Sequence, residues 1–339
     1  MDGEDLTAAY FHSCNRGKRS IALDLANPAD RETVRALARD SDVLFENFKV
    51  GGLLKYGLDH ATLRGANPRL IYCSITGFGQ DGPLAHRAGY DYVAQAMGGF
   101  MELTGEPDGP PQKAGIAYAD IFTGVYACVG VLAALHRRTA TGEGAYLDMA
   151  LLDAQVAVLA NQALNWMASG RVPTRQGAAH ANLAPYQNFR VADGNLVIAC
   201  GNDGQFAKLC AVLGCPALAA DPRYATNPAR VVNRAALIPL LEKLLRAWRR
   251  DPLIDALDAA GVPAGPINTV AQAFAEPQVI ARGMRVDLPT SGGAFTPGVA
   301  SPIIIDGVRQ VADRGAPALD ADRAAVLARV HAPVGRAPS

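Results

Sequence analysis

Asn67-Pro68-Arg69-Leu70-Ile71-Tyr72-Cys73-Ser74-Ile75 decides the fold class: a turn dipeptide opens the run, and Leu70 to Ile75 reads as a strand. Upstream, Ser20 to Leu25 and Val43-Leu44-Phe45 carry two more strand signals. Between them, Asn27-Pro28 supplies an N-cap and a proline at the first helical position, with Asp30 and Glu32 in the first turn, so a helix runs to about Arg39. Gly51 to Arg64 reads as helical with a break at Gly57. Strands alternating with helices predict an α/β fold with a parallel, Rossmann-like sheet. Downstream, helices dominate from Asp91 to about Ser169, including two long apolar ones that meet near Thr139 to Gly144 and pack on the sheet.

Composition shifts at Arg171 to Asn188, where Pro, Gly, Gln and Asn replace the helical pattern. The expected organisation is a large domain over 1–170, a linker over 171–188, a smaller inserted α+β domain over 189–285, and a return segment over 286–339. Within the smaller domain, Leu196 to Cys200 reads as a strand, and Gln205 to Leu213 and Ile238 to Trp248 as helices. Gly261 to Pro266 reads as a rigid loop, and a short helix is expected near Ala321 to Val330.

With 339 residues, half of them apolar, the chain can bury a large core. Its 32 basic and 32 acidic residues cancel, so no global field favours nucleic acid or an acidic membrane, and a small-molecule partner is expected. Six cysteines form no CxxC pair and read as reduced, which with the absence of a signal peptide predicts a cytoplasmic protein. The apolar stretch from Ile116 to Leu135 is interrupted by Asp120, Thr123 and small residues, and suits a buried helix better than a membrane span. The six histidines are scattered, with no i+4 partner and no cysteine set, so no metal site is expected.

Asp120 is the one carboxylate in an otherwise uncharged segment, at the mouth of an apolar helix. Two readings compete. It is an N-cap, or it is a nucleophile held ionised by the helix N-terminus in poorly solvating surroundings. Gly77-Phe78-Gly79-Gln80-Asp81-Gly82 matches the GxGxxG spacing, but Pro83 follows and no helix opens on the third glycine, so a nicotinamide or flavin site is disfavoured. Arg16, Lys18 and Arg19, with Lys49 and Lys55, form either a solvated basic face or an anion site at the loop ends of the sheet. Asp148 and Asp153, five apart, do not share a helical face and make no dyad.

Several segments together resemble family III CoA-transferases of the CaiB/BaiF type. They are Asn15-Arg16-Gly17-Lys18-Arg19-Ser20, Glu46-Asn47-Phe48, Asn67 to Tyr72, Gly77 to Pro83, Gly89-Tyr90-Asp91, Thr104 to Pro111, Asp221-Pro222-Arg223-Tyr224-Ala225-Thr226-Asn227 and Glu276-Pro277-Gln278-Val279. The resemblance implies transfer of CoA between carboxylic acids, with CoA as substrate and product and no tightly bound cofactor. Asp120 falls on the family nucleophile, with Tyr90 and Asp91 beside it as the rest of the catalytic set. Asn47 and Phe48 resemble lining of the CoA channel and Lys55 a basic CoA contact; Arg87, Arg16, Lys18 and Arg19 complete the expected CoA-binding set. The pattern looks most like members using succinyl-CoA and dicarboxylates such as glutarate, and implies an interlocked homodimer.

The chain departs from the family at both ends. The family's first strand-helix-strand unit precedes the point where Met1 stands, and Leu319-Asp320-Ala321-Asp322 replaces a Leu-Gly-x-His stretch. A truncated, poorly active chain is therefore expected, and an inactive CoA- or partner-binding protein is one alternative. Another is an acyl-CoA racemase of the same family, disfavoured because residues 113 to 119 contain no histidine.

Overall fold

The strand Ile71–Thr76 lies at the centre of a three-stranded parallel sheet, between Val43–Glu46 and Tyr146–Ala150. The structure is a computed structural model and describes residues 9–290 and 293–331. Cys73 stands opposite Phe45 on one side and Leu147 on the other. Side chains along the central strand alternate between two cores, as the two-residue period requires. Leu70 and Tyr72 pack with Ala38, Leu53, Leu58 and Leu63, whereas Ile71 and Cys73 pack with Ala127, Val131 and Ala134 of the helix Tyr118–Thr141. Both faces are covered, which parallel strands demand. Burial there pushes the Cys73 thiol up to about 11, so it stays protonated and behaves as a small apolar group.

Local signals fix the neighbouring helices. Asn27 Oδ1 accepts the Ala29 N–H at 3.0 Å to open Pro28–Asp40, and Asp59 accepts from Ala61 and Thr62 to open His60–Ala66. Gly57, at φ +61°, ends the short turn Leu54–Tyr56 in the left-handed region that glycine tolerates. These elements belong to a compact unit built from residues up to Gly89, Thr123–Leu151, and Thr269 onward. The same unit contains two antiparallel hairpins, Arg285–Pro289 with Phe295–Val299 and Ile304–Ile305 with Val308–Arg309.

Three expectations are corrected. Ser20 to Leu25 forms no strand, and Leu25 lies in a turn. The Ser20 N–H donates to Asp322 Oδ2 and the Ala22 N–H to Asp320 Oδ1, both at 2.8 Å, while the Arg323 guanidinium donates to the Ala22 carbonyl. Side chains at the start of the helix Arg323–His331 and just before it thus satisfy backbone groups that a neighbouring strand would otherwise pair. The second long apolar helix does not form either: Tyr146–Ala150 is a strand, followed by two shorter helices, Leu151–Ala157 and Ala160–Ser169. A stretch as short as Tyr146-Leu147-Asp148-Met149-Ala150 reads alike in either state, and pairing with Ile71–Thr76 decides it. Finally, Tyr118–Thr141 is not buried all round. Among the described residues it is the one helix long and apolar enough, by length and composition, to cross a membrane; it buries Ala119, Thr123, Ala127, Val131 and Ala134 along one face and exposes Ile121, Val125, Val129 and Leu132 along another.

The second unit comprises Tyr90–Phe122 and Leu152–Asn268. Its antiparallel sheet joins Tyr186–Val191, Gly194–Ala199 and the edge strand Ala264–Pro266, where Pro266 faces Leu196. An edge tolerates a proline, which explains why part of the expected Gly261 to Pro266 loop is a strand. Phe189, Leu196 and Ile198 pack with Phe206, Leu209, Leu237, Leu241, Leu253 and Leu257 from the helices Asp203–Val212, Arg234–Leu245 and Arg250–Ala259. Arg230 is completely enclosed: it donates to the carbonyls of Ala184 at 2.6 Å and Tyr224 at 2.9 Å and to Asp203 Oδ1 at 2.8 Å, above the Phe206 ring.

Candidate active site

Asp120 is the third residue of Tyr118–Thr141, and its setting is made by three stretches of the second unit. The helix Asp91–Met97 supplies Asp91 in its first turn and Gln95 one turn later. Asp91 Oδ1 accepts the Ala119 N–H at 2.8 Å and the Asp120 N–H at 3.3 Å. Gln95 Nε2 donates to Asp91 Oδ2 at 2.6 Å, and Gln95 Oε1 accepts the Ala114 N–H at 2.8 Å. Phe100 stacks on Tyr118 with ring centroids 4.7 Å apart, and Tyr118 packs against Phe122. The first turn is therefore pinned by one carboxylate and one aromatic stack.

The two competing readings of Asp120 separate here. Capping belongs to Asp91, which reaches across from another helix to take N–H groups that lack an intrahelical acceptor. Asp120 is left with its side chain outward. The expectation of a carboxylate without charged neighbours is corrected: burial on its inner side and then the Asp91 charge push the Asp120 pKa above its ordinary value. Its outer side is exposed in the single chain, so this chain alone does not enclose it in the expected dry pocket. Tyr90 precedes the helix Asp91–Met97 and is also exposed. Once ionised, a carboxylate of raised pKa is a stronger nucleophile than an ordinary one, and Asp120 has the exposure that an incoming electrophile needs.

The expected CoA contacts lie in the first unit. Asn47 and Phe48 are exposed directly after Val43–Glu46, at the C-terminal end of a parallel strand where α/β proteins bind ligands. The Phe48 N–H donates to Glu46 Oε2 at 2.8 Å. Lys55 places its ammonium 4.6 Å from the centroid of the Tyr56 ring, and the Arg87 guanidinium lies 5.6 Å from that of Phe78. The cluster Arg16, Lys18, Arg19 is divided. Arg16 donates to the Val299 carbonyl and lines a cavity of about 180 Å³ with Ser13, Cys14 and Gln310. Lys18 donates to Asn15 Oδ1 at 3.0 Å and lines a cavity of about 270 Å³ with Thr290, Arg314 and Asp322. Arg19 is exposed.

The stretch Gly77 to Gly82 opens no helix; turns follow it as far as Arg87. Gly77 and Gly89 touch, since a Cβ on Gly77 would fall 2.4 Å from the Gly89 Cα, so the two glycines close the stem of a loop. Asp148 Oδ2 accepts the Gln80 N–H at 2.9 Å and shapes that loop. The residue that sequence reasoning missed is Gln95. Its signal was a glutamine four residues after Asp91 on one helical face, which has meaning only once the partner of Asp91 is known.

Comparison with known proteins agrees with the resemblance. Residues 2–323 match the family model described as CoA-transferase family III. The chain is 53% identical over 330 residues to a succinate–glutarate CoA-transferase of Agrobacterium fabrum, covering 97% of this chain and 82% of that one. It is 42% identical over 326 residues to an acetyl-CoA:oxalate CoA-transferase of Acetobacter aceti, covering 96% and 82%. The crystal structure of a CaiB/BaiF family protein from Brucella suis superposes with a TM-score of 0.85 at 55% identity, covering 96% of this chain and 84% of the other.

Proposed function

Because this chain belongs to CoA-transferase family III, and is an enzyme of that class, we propose that it moves CoA from succinyl-CoA to a second dicarboxylic acid through Asp120. Its relatives include transferases named for succinate, glutarate, mesaconate and oxalate, which supports CoA transfer among dicarboxylic acids. One observation carries the choice of nucleophile: Asp91 takes the capping role and leaves the Asp120 carboxylate outward on a pinned turn.

The reaction conserves charge at every step. The Asp120 carboxylate attacks the thioester carbonyl, the C–S bond breaks, and CoA thiolate leaves a mixed anhydride. The thiolate then attacks the Asp120 carbonyl, releasing succinate and forming an aspartyl-CoA thioester. The acceptor carboxylate attacks that thioester to give a second anhydride, and the returning thiolate cleaves it at the acceptor carbonyl, freeing Asp120. Two difficult exchanges become four acyl transfers in which no proton needs a donor. Asn47, Phe48, Lys55 and Arg87, with Arg16, Lys18 and Arg19, are the proposed CoA contacts, the cations serving the phosphates. Tyr90 is proposed to line the acyl position beside Asp120.

An anhydride survives only where water is excluded, and Asp120 is exposed in the single chain. A second copy is the proposed cover, and the apolar line Ile121, Val125, Val129, Leu132 supports a homodimer, because exposed stripes of that kind mark association surfaces. The deciding experiment is incubation with succinyl-CoA, trapping with hydroxylamine or borohydride, and peptide mass analysis. Modification is expected at Asp120; modification at Asp148 or Asp153 would move the nucleophile elsewhere. Light scattering tests the dimer, with twice the chain mass expected.

A further inference from the structure

We propose that Gln95 is the positioning residue of the nucleophile: its buried amide holds Asp91 against the first turn of Tyr118–Thr141 and ties that turn to the chain at Ala114. This rests on the reading of Asp120 as the nucleophile. Gln95 is fully buried and uses both ends of its side chain. The NH₂ group donates to Asp91 Oδ2 at 2.6 Å and the carbonyl oxygen accepts the Ala114 N–H at 2.8 Å. A side-chain amide presents a donor and an acceptor at once, which is what a carboxylate on one side and an N–H on the other require.

The consequence for Asp120 follows from geometry. The two oxygens of Asp91 have separate tasks: Oδ2 is fixed by Gln95, and Oδ1 thereby points at the N–H groups of Ala119 and Asp120. Without the amide, the Asp91 side chain can rotate away, the first turn loses its acceptor, and the charge nearest Asp120 changes place. Misplacement of a reacting group by about 1 Å costs on the order of a hundredfold in rate.

Gln95→Glu sets an acceptor against the Asp91 carboxylate, while the paired exchange Asp91→Asn with Gln95→Glu restores a donor facing an acceptor. In that pair the amide at position 91 still accepts from Ala119, the carboxylate at position 95 still accepts from Ala114, and the net charge is unchanged. The negative charge has moved one turn further from Asp120. Expected for Q95E is a fall in kcat of about thirtyfold or more, with KM for succinyl-CoA within about threefold of wild type. Expected for the pair is recovery of at least about tenfold over Q95E, with the acid limb of kcat/KM below that of wild type. That limb moves because the Asp91 charge is removed, so the readout specific to Gln95 is the fall in kcat at nearly unchanged KM and its recovery in the pair.

Q95E turning over within about threefold of wild type, or a folded pair no faster than Q95E, overturns the proposal. Circular dichroism checks folding. Should Q95E not fold, Gln95→Met replaces it as the reference, with the same recovery expected of the pair. Wild-type protein that succinyl-CoA fails to label at Asp120 would end the reading of the function itself. Wild-type protein that labels, beside Q95E labelling at the same rate, would end only the role of Gln95.

Discussion

Arg230 and Asp120 belong to the same unit, and the chain treats their charges in opposite ways. The guanidinium is enclosed, its N–H groups go to two carbonyls and a carboxylate, and an aromatic ring lies beneath it. The carboxylate is exposed, with another carboxylate as its charged neighbour. A buried charge that saturates its hydrogen bonds holds the fold; a charge set beside its own kind works against the fold, which agrees with the reactive role proposed for Asp120. The same contrast separates Asp91, bonded through both oxygens, from Asp120 one helix away.

Removing each charge should therefore have opposite signs on stability. Asp120→Asn is expected to lower CoA exchange by about 10⁴-fold or more, the loss typical of deleting a covalent nucleophile, measured as label moving from succinyl-CoA to free acid. Because folding raises the Asp120 pKa, the native state binds its proton more tightly than the unfolded chain, and ionisation at neutral pH opposes folding. The same variant is thus expected to melt at a higher temperature than wild type at neutral pH. A lower melting temperature would show that Asp120 also supports the fold. Arg230→Met should leave the carbonyls of Ala184 and Tyr224 without donors inside the protein, at a cost of about 3 kcal/mol in urea unfolding. A cost below about 1 kcal/mol would remove Arg230 from the supporting side of the contrast.

The pH dependence isolates the Asp91 contribution. In the proposed mechanism Asp120 attacks in its ionised form, so kcat/KM should rise with pH along an acid limb placed above the ordinary carboxylate value. Asp91→Asn removes the second of the two causes and leaves burial, so the limb should move down part of the way while kcat falls from the loosened first turn. An unmoved limb in that variant would mean that Asp91 acts by hydrogen bonding alone.

The parts of this site legible in the sequence are those written locally. Asn27-Pro28 announces a helix start because a cap is a contact between near neighbours in the chain. Asp120 stood out because nothing charged surrounds it in sequence. What local reading does not give is what arrives from elsewhere in the chain. Only the family resemblance set Asp91, 29 residues earlier, beside Asp120, and its part as the cap of that helix and as a charged neighbour comes from the structure. Gln95 has no meaning without it. Arg16 and Lys18 are two residues apart and looked like one anion cluster, but the chain turns between them at Gly17, at φ +70°, and they line different cavities. The strand Tyr146–Ala150 escapes a sequence reading because sheet pairing, not composition, sets its state.

Ser20 to Leu25 gives the subtlest of these cases and the smallest expected effect. Its strand signal is sound, yet carboxylates rather than a strand accept its N–H groups. The Ala22 N–H and the Arg323 guanidinium hold the Asp320 carboxyl below the usual carboxylate range. A depressed folded pKa means stability present at neutral pH and lost as pH falls through that lowered value. Asp320→Asn should consequently lower the melting temperature slightly at neutral pH, and the difference from wild type should vanish in strong acid, where the wild-type carboxyl is itself protonated. Asp320 lies far in the chain from Asp120 and bonds only groups of its own unit, so CoA exchange should not change. A variant that loses exchange while keeping its melting temperature would place this latch on the catalytic side of the contrast, alongside Asp120, rather than with Arg230.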